Sequence, residues 1–277
     1  MTEAPRDDAD AALARAVVYR MLSMGFQPPT EGRLLEIGAR DGFRAAMAAA
    51  QYLDEVNIRS GVRLPPGGPQ GRQADPTGLA SAAARLESLA VPDADTLSAS
   101  FWRLFGHTTR GLICACETEY GPDNGFHQPQ QLADIAGYYF AFGLHPVAAT
   151  DTRADHIACE CEFMDFLSRK QAHLLDHTDA GADVSETLEV TGMAERSFLR
   201  EHLGRFGRAF AARVATEDGD GYFGALGRLL LAFVDAECTR VGVEAGPVDL
   251  IVRPDEPDET PMACGTADEL IQIQRHP

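Results

Sequence analysis

Along most of the chain apolar residues recur three and four positions apart, which is the spacing of one helical face. Leu13, Val17, Met21 and Met24 mark a first helix that starts after Asp8 and ends at Gly25. Phe43, Met47, Ala50 and Leu53 repeat the pattern in an alanine-rich second stretch. Prolines and glycines interrupt it over 65–78, a composition suited to a solvated loop. Helical spacing resumes over 79–90 and, behind Asp93 as N-cap, over 94–105. Residues 106–124 hold glycines and closely spaced cysteines and read as a long loop. The segment 130–142 puts Leu132, Ile135, Ala136 and Tyr139 on one face and ends at Gly143 as a C-terminal cap. The clearest helix covers 155–176, with a stripe through Ile157, Cys161, Met164, Gln171 and Leu175. Phe198, Leu199, Leu203, Phe206 and Phe210 form another face, and Tyr222, Leu226, Leu229, Leu230, Phe233 and Val234 form the last, closed at Gly242. No segment alternates with period two for long enough to predict a strand, and no internal repeat is visible. The pattern predicts an all-α fold, a single-domain bundle of roughly eight to ten helices over 1–246 with a loop at 61–78. An extended, acidic, proline-rich tail is expected over 247–277.

Composition narrows the partners rather than the fold. The chain has 277 residues, 45% of them hydrophobic, enough for a sizeable core. Forty-two acidic against 24 basic side chains give a formal charge of -18, which opposes binding to nucleic acid or to anionic membranes. The longest strongly apolar run is far too short to span a bilayer, and no basic region leads into an apolar stretch near Met1. These features predict a cytoplasmic protein with reduced thiols.

Two patterns invite a metal. Cys114 and Cys116, with Cys159 and Cys161, make two CxC pairs, and Cys264 is a further thiol. Residues i and i+2 of a helix point about 200° apart, so Cys159 and Cys161 do not converge on one ion, and packing is the plainer reading. A redox- or metal-sensing helical protein is the alternative these thiols keep open. His173 and His177 have the i,i+4 spacing of a metal face but lack the glutamate of a zinc protease. No phosphate-cradling glycine loop and no nucleophile elbow is present, which argues against guanine-nucleotide binding and against nucleophilic catalysis.

More specific is the stretch from Asp155 to Met164. Asp155 is placed to cap the helix, and His156 and Glu160 stand one turn apart, so that they can face each other. Upstream, Phe101, Trp102, Leu104 and Phe105 put four large apolar residues into five positions, more than one helical face can turn inward. Part of that surface is expected to face a groove.

Phe101-x-x-Leu104-Phe105, Glu117-Thr118-Glu119-Tyr120-Gly121, the run from Leu132 to Leu144, and Asp155-His156 with Glu160 and Glu162-Phe163-Met164 follow one another in an order that resembles the TorD/DmsD-type redox-enzyme maturation chaperones. That resemblance implies an all-α fold, no enzymatic activity and no cofactor. It also implies a partner, the apo catalytic subunit of a molybdopterin oxidoreductase, often bound through its twin-arginine signal peptide until its cofactor is inserted. Carried over by position, it assigns client binding to Phe101, Leu104, Phe105, Asp155, His156 and Glu160. The chain departs from many relatives in having Ala154 where they have proline before the Asp-His pair. It implies a monomer or a segment-swapped dimer, with the loop at 65–78 as the hinge.

Overall fold

A computed structural model describes residues 4–33, 40–61, 78–89, 92–106, 111–121, 128–145, 152–179 and 183–253. Residues 62–77 of the expected loop, the tail from 254 onward and Cys264 lie outside the described residues. The architecture is all-α. The helices of ten or more residues are α1 (Ala4–Gly25), α2 (Asp41–Arg59), α3 (Leu79–Ser88), α4 (Ala94–Phe105), α5 (Gln128–Ala141), α6 (Ile157–Asp179), α7 (Ser185–Phe198), α8 (Gly204–Glu217) and α9 (Tyr222–Val241). A 3-10 turn at Glu117–Glu119 and a π-helical turn at Leu199–Leu203 complete the order. Among the described residues no helix is long and apolar enough to cross a membrane.

Helix α1 lies chiefly along α6, with α2 and then α3 added at its side, while α8 and α9 form the second principal pair and α9 also packs on α3. The core between them is aromatic. Tyr19 of α1 meets Phe233 of α9 edge-on, with ring centres 4.6 Å apart, and Phe26 meets Phe210 at 5.1 Å. Phe163, Phe198 and Tyr139 close the other end of the core around α5 and α6. Edge-to-face pairs of this kind add about 0.5–1.5 kcal/mol beyond the area they bury.

Local signals account for several boundaries. Asp93 accepts hydrogen bonds from the Thr96 amide and hydroxyl at 2.9 and 2.8 Å, which fixes the start of α4. Gly242, at φ +66°, ends α9, and the Val243 amide returns to the Cys238 carbonyl at 2.8 Å. Other boundaries depart from the pattern: α1 begins at Ala4 rather than after Asp8, and α7 over Ser185–Phe198 was not expected. The apolar face from Phe198 to Phe210 is not one α-helix, because the π turn interrupts it before Gly204. A Cβ on Gly204 would stand 2.2 Å from the Leu199 carbonyl oxygen and 2.8 Å from the Cys238 sulfur, so the turn closes only over a hydrogen.

Of the region expected as a loop, residues 107–110 and 122–124 lie outside the described residues, and 113–121 form a buried connector. Ile113 through Gly121 are all buried, and the backbone is extended at Cys116 and Tyr120 on either side of the 3-10 turn. On one side it pairs with the entry to α6: the Glu117 amide donates to the Asp155 carbonyl and the Ile157 amide to the Ala115 carbonyl, both at 2.8 Å. On the other it pairs with 251–253, where Gly121 donates to Ile251 and Arg253 donates to Glu119, again at 2.8 Å. The first residues of the expected tail are therefore tied to the bundle. Isolated backbone pairings, Cys116 with His156 and Tyr120 with Val252, leave no alternating strand pattern for the sequence to display.

Candidate functional site around the entry to helix α6

The connector carries a buried polar cluster. Asp155, fully buried, accepts from the Thr118 amide at 3.1 Å, from the Thr118 hydroxyl at 2.9 Å, and from Arg153 through Nε at 2.9 Å and a terminal nitrogen at 2.8 Å. Arg153 also reaches Glu119 at 3.2 Å. Asp155 is thus not the expected cap of α6; the side chain that accepts from the first turn is His156, whose Nδ1 takes the Ala158 amide at 3.1 Å. The half-buried His156 ring is surrounded by protein, and this burial lowers its pKa to about 4, with Asp155 opposing the shift and Arg153 assisting it. The imidazole is neutral at physiological pH, with the remaining ring proton on Nε2.

Glu160 does not face His156 as its spacing allows. Its carboxyl oxygens are buried without a geometric hydrogen bond, and burial, followed by the charges of Glu117 and Asp155, pushes its pKa well above the usual carboxylate range. Glu117 is the opposite case. One of its oxygens accepts from Arg205 at 2.7 and 3.0 Å, the other from His202 at 3.0 Å, so its charge is held by partners from the far side of the bundle. Opening such a buried ion pair from one side costs about 3–5 kcal/mol.

Phe101, Leu104 and Phe105 lie elsewhere. All three are buried: Phe101 and Phe105 pack at a tilt on each other and meet Phe223 edge-on, while Phe105 also meets Phe26 edge-on and stacks on Phe210. The groove surface expected of this segment is not on these three side chains; of its four large apolar residues only Trp102 is partly exposed. Helix α4 buries more than one face because Phe26, just after α1, Phe210 of α8 and Phe223 of α9 each turn a ring toward it. Truncating Leu104 to alanine would cost about 2–5 kcal/mol of stability, which makes it a poor probe of binding.

An open groove of about 460 Å³ runs beside the entry to α6, on the face away from Glu160. Tyr139, Leu144, Phe163 and Phe166 supply apolar wall, Ala154 and Cys159 sit at its α6 end, Glu162 and Asp165 add carboxylates, and Arg33 and Arg169 add guanidinium groups. Glu162 is exposed, whereas Asp165 is buried and paired with Arg169 at 2.6 Å. Arg169 also borders a smaller groove of about 170 Å³ whose apolar floor is Val17, Met21, Met24 and Phe43. The Tyr139 hydroxyl donates to the Ala154 carbonyl at 2.8 Å and so holds α5 against the residue preceding Asp155. Ala154 is itself part of the groove wall.

The structure brings Asp155, His156 and Glu160 to one place and puts Phe101, Leu104 and Phe105 in another. Arg153, Glu117, His202 and Arg205 complete the polar cluster and carried no assigned role in the sequence; only the Glu117-Thr118-Glu119 motif hinted at them. The groove residues were hidden for a different reason, since Tyr139, Phe163 and Phe166 look like core in a helical stripe. The cysteine pairs do not assemble. Cys114, Cys116 and Cys161 are buried, burial raises the Cys159 thiol to about 12, and these thiols form no group of three potential ligands among the described residues.

Neither a curated protein nor a solved structure shows significant similarity to the chain. A family model described as nitrate reductase delta subunit matches residues 72–212, just over half of the 277. The matched region runs from before α3 into α8 and includes the connector, the polar cluster and most of the groove. By that match the chain belongs to the nitrate reductase delta subunit family of molybdoenzyme maturation chaperones.

Proposed function

We propose that the protein is a cytoplasmic, non-catalytic chaperone of the TorD/DmsD type. It holds the apo catalytic subunit of a molybdopterin oxidoreductase, through its twin-arginine signal peptide, in the groove beside the entry to α6. The observation that carries this reading is the groove itself: an open apolar trough between α5 and α6 with the exposed Glu162 carboxylate at its side. A twin-arginine peptide offers the complement, an arginine pair followed by a moderately apolar segment. Burying about 400 Å² of apolar surface contributes on the order of 10 kcal/mol gross, and much of this is cancelled by ordering the peptide. Exposed arginine-carboxylate pairs add about 0.2–1 kcal/mol each. The apolar wall therefore sets affinity and the carboxylates set orientation.

In this reading Asp155, His156 and Glu160 shape the wall from behind. Phe101, Leu104 and Phe105 act through the core that supports it. The test is a titration of the purified protein with a synthetic twin-arginine signal peptide from the client subunit. Phe166→Glu is expected to weaken binding by about 2 kcal/mol or more, roughly thirtyfold, and Glu162→Arg to weaken it less. Ile58→Glu, at an exposed position of α2 outside the groove, is the control that leaves it unchanged. Equal affinity for all four proteins would overturn the assignment of the groove.

A further inference from the structure

A second polar site lies on the other side of Glu117. His202 stands in the π turn and is 4% exposed. Its Nδ1 is committed to the Glu117 carboxylate at 3.0 Å, and since an ionised carboxylate only accepts, Nδ1 carries a proton. Nε2 is buried and makes no hydrogen bond, yet it faces the Asp134 carboxylate of α5, with Oδ2 at 3.3 Å. The Glu201 carboxylate closes the group: one potential ligand atom from each of Asp134, Glu201 and His202 lies within 4.8 Å of the others. Among the described residues no other three His, Cys, Asp or Glu side chains meet this condition.

A divalent cation seated between Nε2 and the Asp134 carboxylate would take both as ligands, with Glu201 within reach. We propose that Asp134, Glu201 and His202 bind a divalent transition-metal ion of the zinc type. Two ligands at about 2.0–2.1 Å from one tetrahedral ion stand about 3.3 Å apart, the separation already present between His202 and Asp134. One imidazole with two carboxylates suits zinc and its neighbours in the first row, whereas calcium and magnesium prefer oxygen alone. Behind the ligands is the support that metal-bound histidines usually have, a carboxylate on the second ring nitrogen, here Glu117 held by Arg205. The Tyr138 hydroxyl donates to one Glu201 oxygen at 2.9 Å and the Arg200 guanidinium donates to the other, and the two orient the carboxylate. Asp134 retains 61% of its side-chain exposure, so the site is open to water on one side and leaves coordination positions for it. Pinning α5 to the π turn would also steady Tyr139, which stands on α5 and lines the groove.

The experiment uses the reduced full chain carrying His173→Ala and His177→Ala, because that exposed pair, with ring centres 4.0 Å apart, is a competing metal face. Titration with Zn²⁺ alone by calorimetry is expected to give one site per chain. Asp134→Asn and Glu201→Gln, at partly exposed positions that leave folding intact, should each weaken it at least about tenfold. Replacing Zn²⁺ with Co²⁺ should give ligand-field absorption without the thiolate-to-cobalt band that cysteine ligation produces, and Asp134→Asn should abolish that absorption. Zn²⁺ affinity unchanged in both variants, or a thiolate band, would overturn the proposal. So would the absence of any bound ion, which would leave a proton on Nε2 as the bridge to Asp134.

Discussion

Glu160 is a carboxyl group buried beside two others, and its behaviour follows from that placement. Folding raises its pKa, burial first and the Glu117 and Asp155 charges next, so the folded chain holds a proton that the unfolded chain releases near the usual glutamate value. Its contribution to stability is fully present below the unfolded pKa and is lost as the pH rises through the folded one. Glu160→Gln keeps the shape but does not titrate. The variant is therefore expected to be the more stable protein at neutral pH. Its advantage over the parent should grow by up to about 1.4 kcal/mol per pH unit above the unfolded value until the folded one is reached. Chemical denaturation of both chains at several pH values between about 5 and 8 checks this, and parallel curves would contradict it. At this scale the sequence was only partly legible. The pairing of His156 with Glu160 was a fair reading of helical spacing, but which way a polar side chain turns depends on partners from distant segments.

The π turn between α7 and α8 shows how one element can serve two demands. The apolar stripe from Phe198 to Phe210 has to remain in the core while His202 is brought round to Glu117. An inserted residue in the helical ladder shifts the register enough to do both, and such bulges often mark functional sites. Gly204 permits it, because any side chain there would enter the Leu199 carbonyl and the Cys238 sulfur. Gly204→Ala is expected to destabilise the fold by about 1–3 kcal/mol, as over-packing does, although alanine is the better helix former. Denaturant unfolding measures the difference; a stabilised variant would mean that the turn is not under this constraint. Boundaries with a cap, such as those at Asp93 and Gly242, were legible in the sequence because a cap acts on residues within a turn of itself, whereas α7 over Ser185–Phe198 was not read from it. The connector from Ile113 to Gly121 was not legible either. Its regularity comes from pairing with the entry to α6 on one side and with residues 251–253 on the other, neither of which is near in sequence.

For the whole molecule the governing quantity is the charge of -18. In the proposed function, a field of that sign would draw a basic peptide toward the groove from a distance, and the apolar wall would retain it once seated. The association rate with a twin-arginine peptide, followed by stopped-flow fluorescence, should therefore fall at least about tenfold between low salt and 0.5 M salt, with little change in dissociation. A rate independent of salt would place the recognition entirely in the wall. The all-helical class, most of the helices and the acidic exterior were determined by the sequence alone, because periodicity, caps and net charge are local or additive properties. Tertiary structure decided the rest. Glu117 meets Arg205 from 88 residues away and Thr118 meets Asp155 from 37, and no spacing rule connects them. The same holds for burial: Phe101, Leu104 and Phe105 became core, and Phe166 became groove, according to which neighbouring helices arrived to cover them.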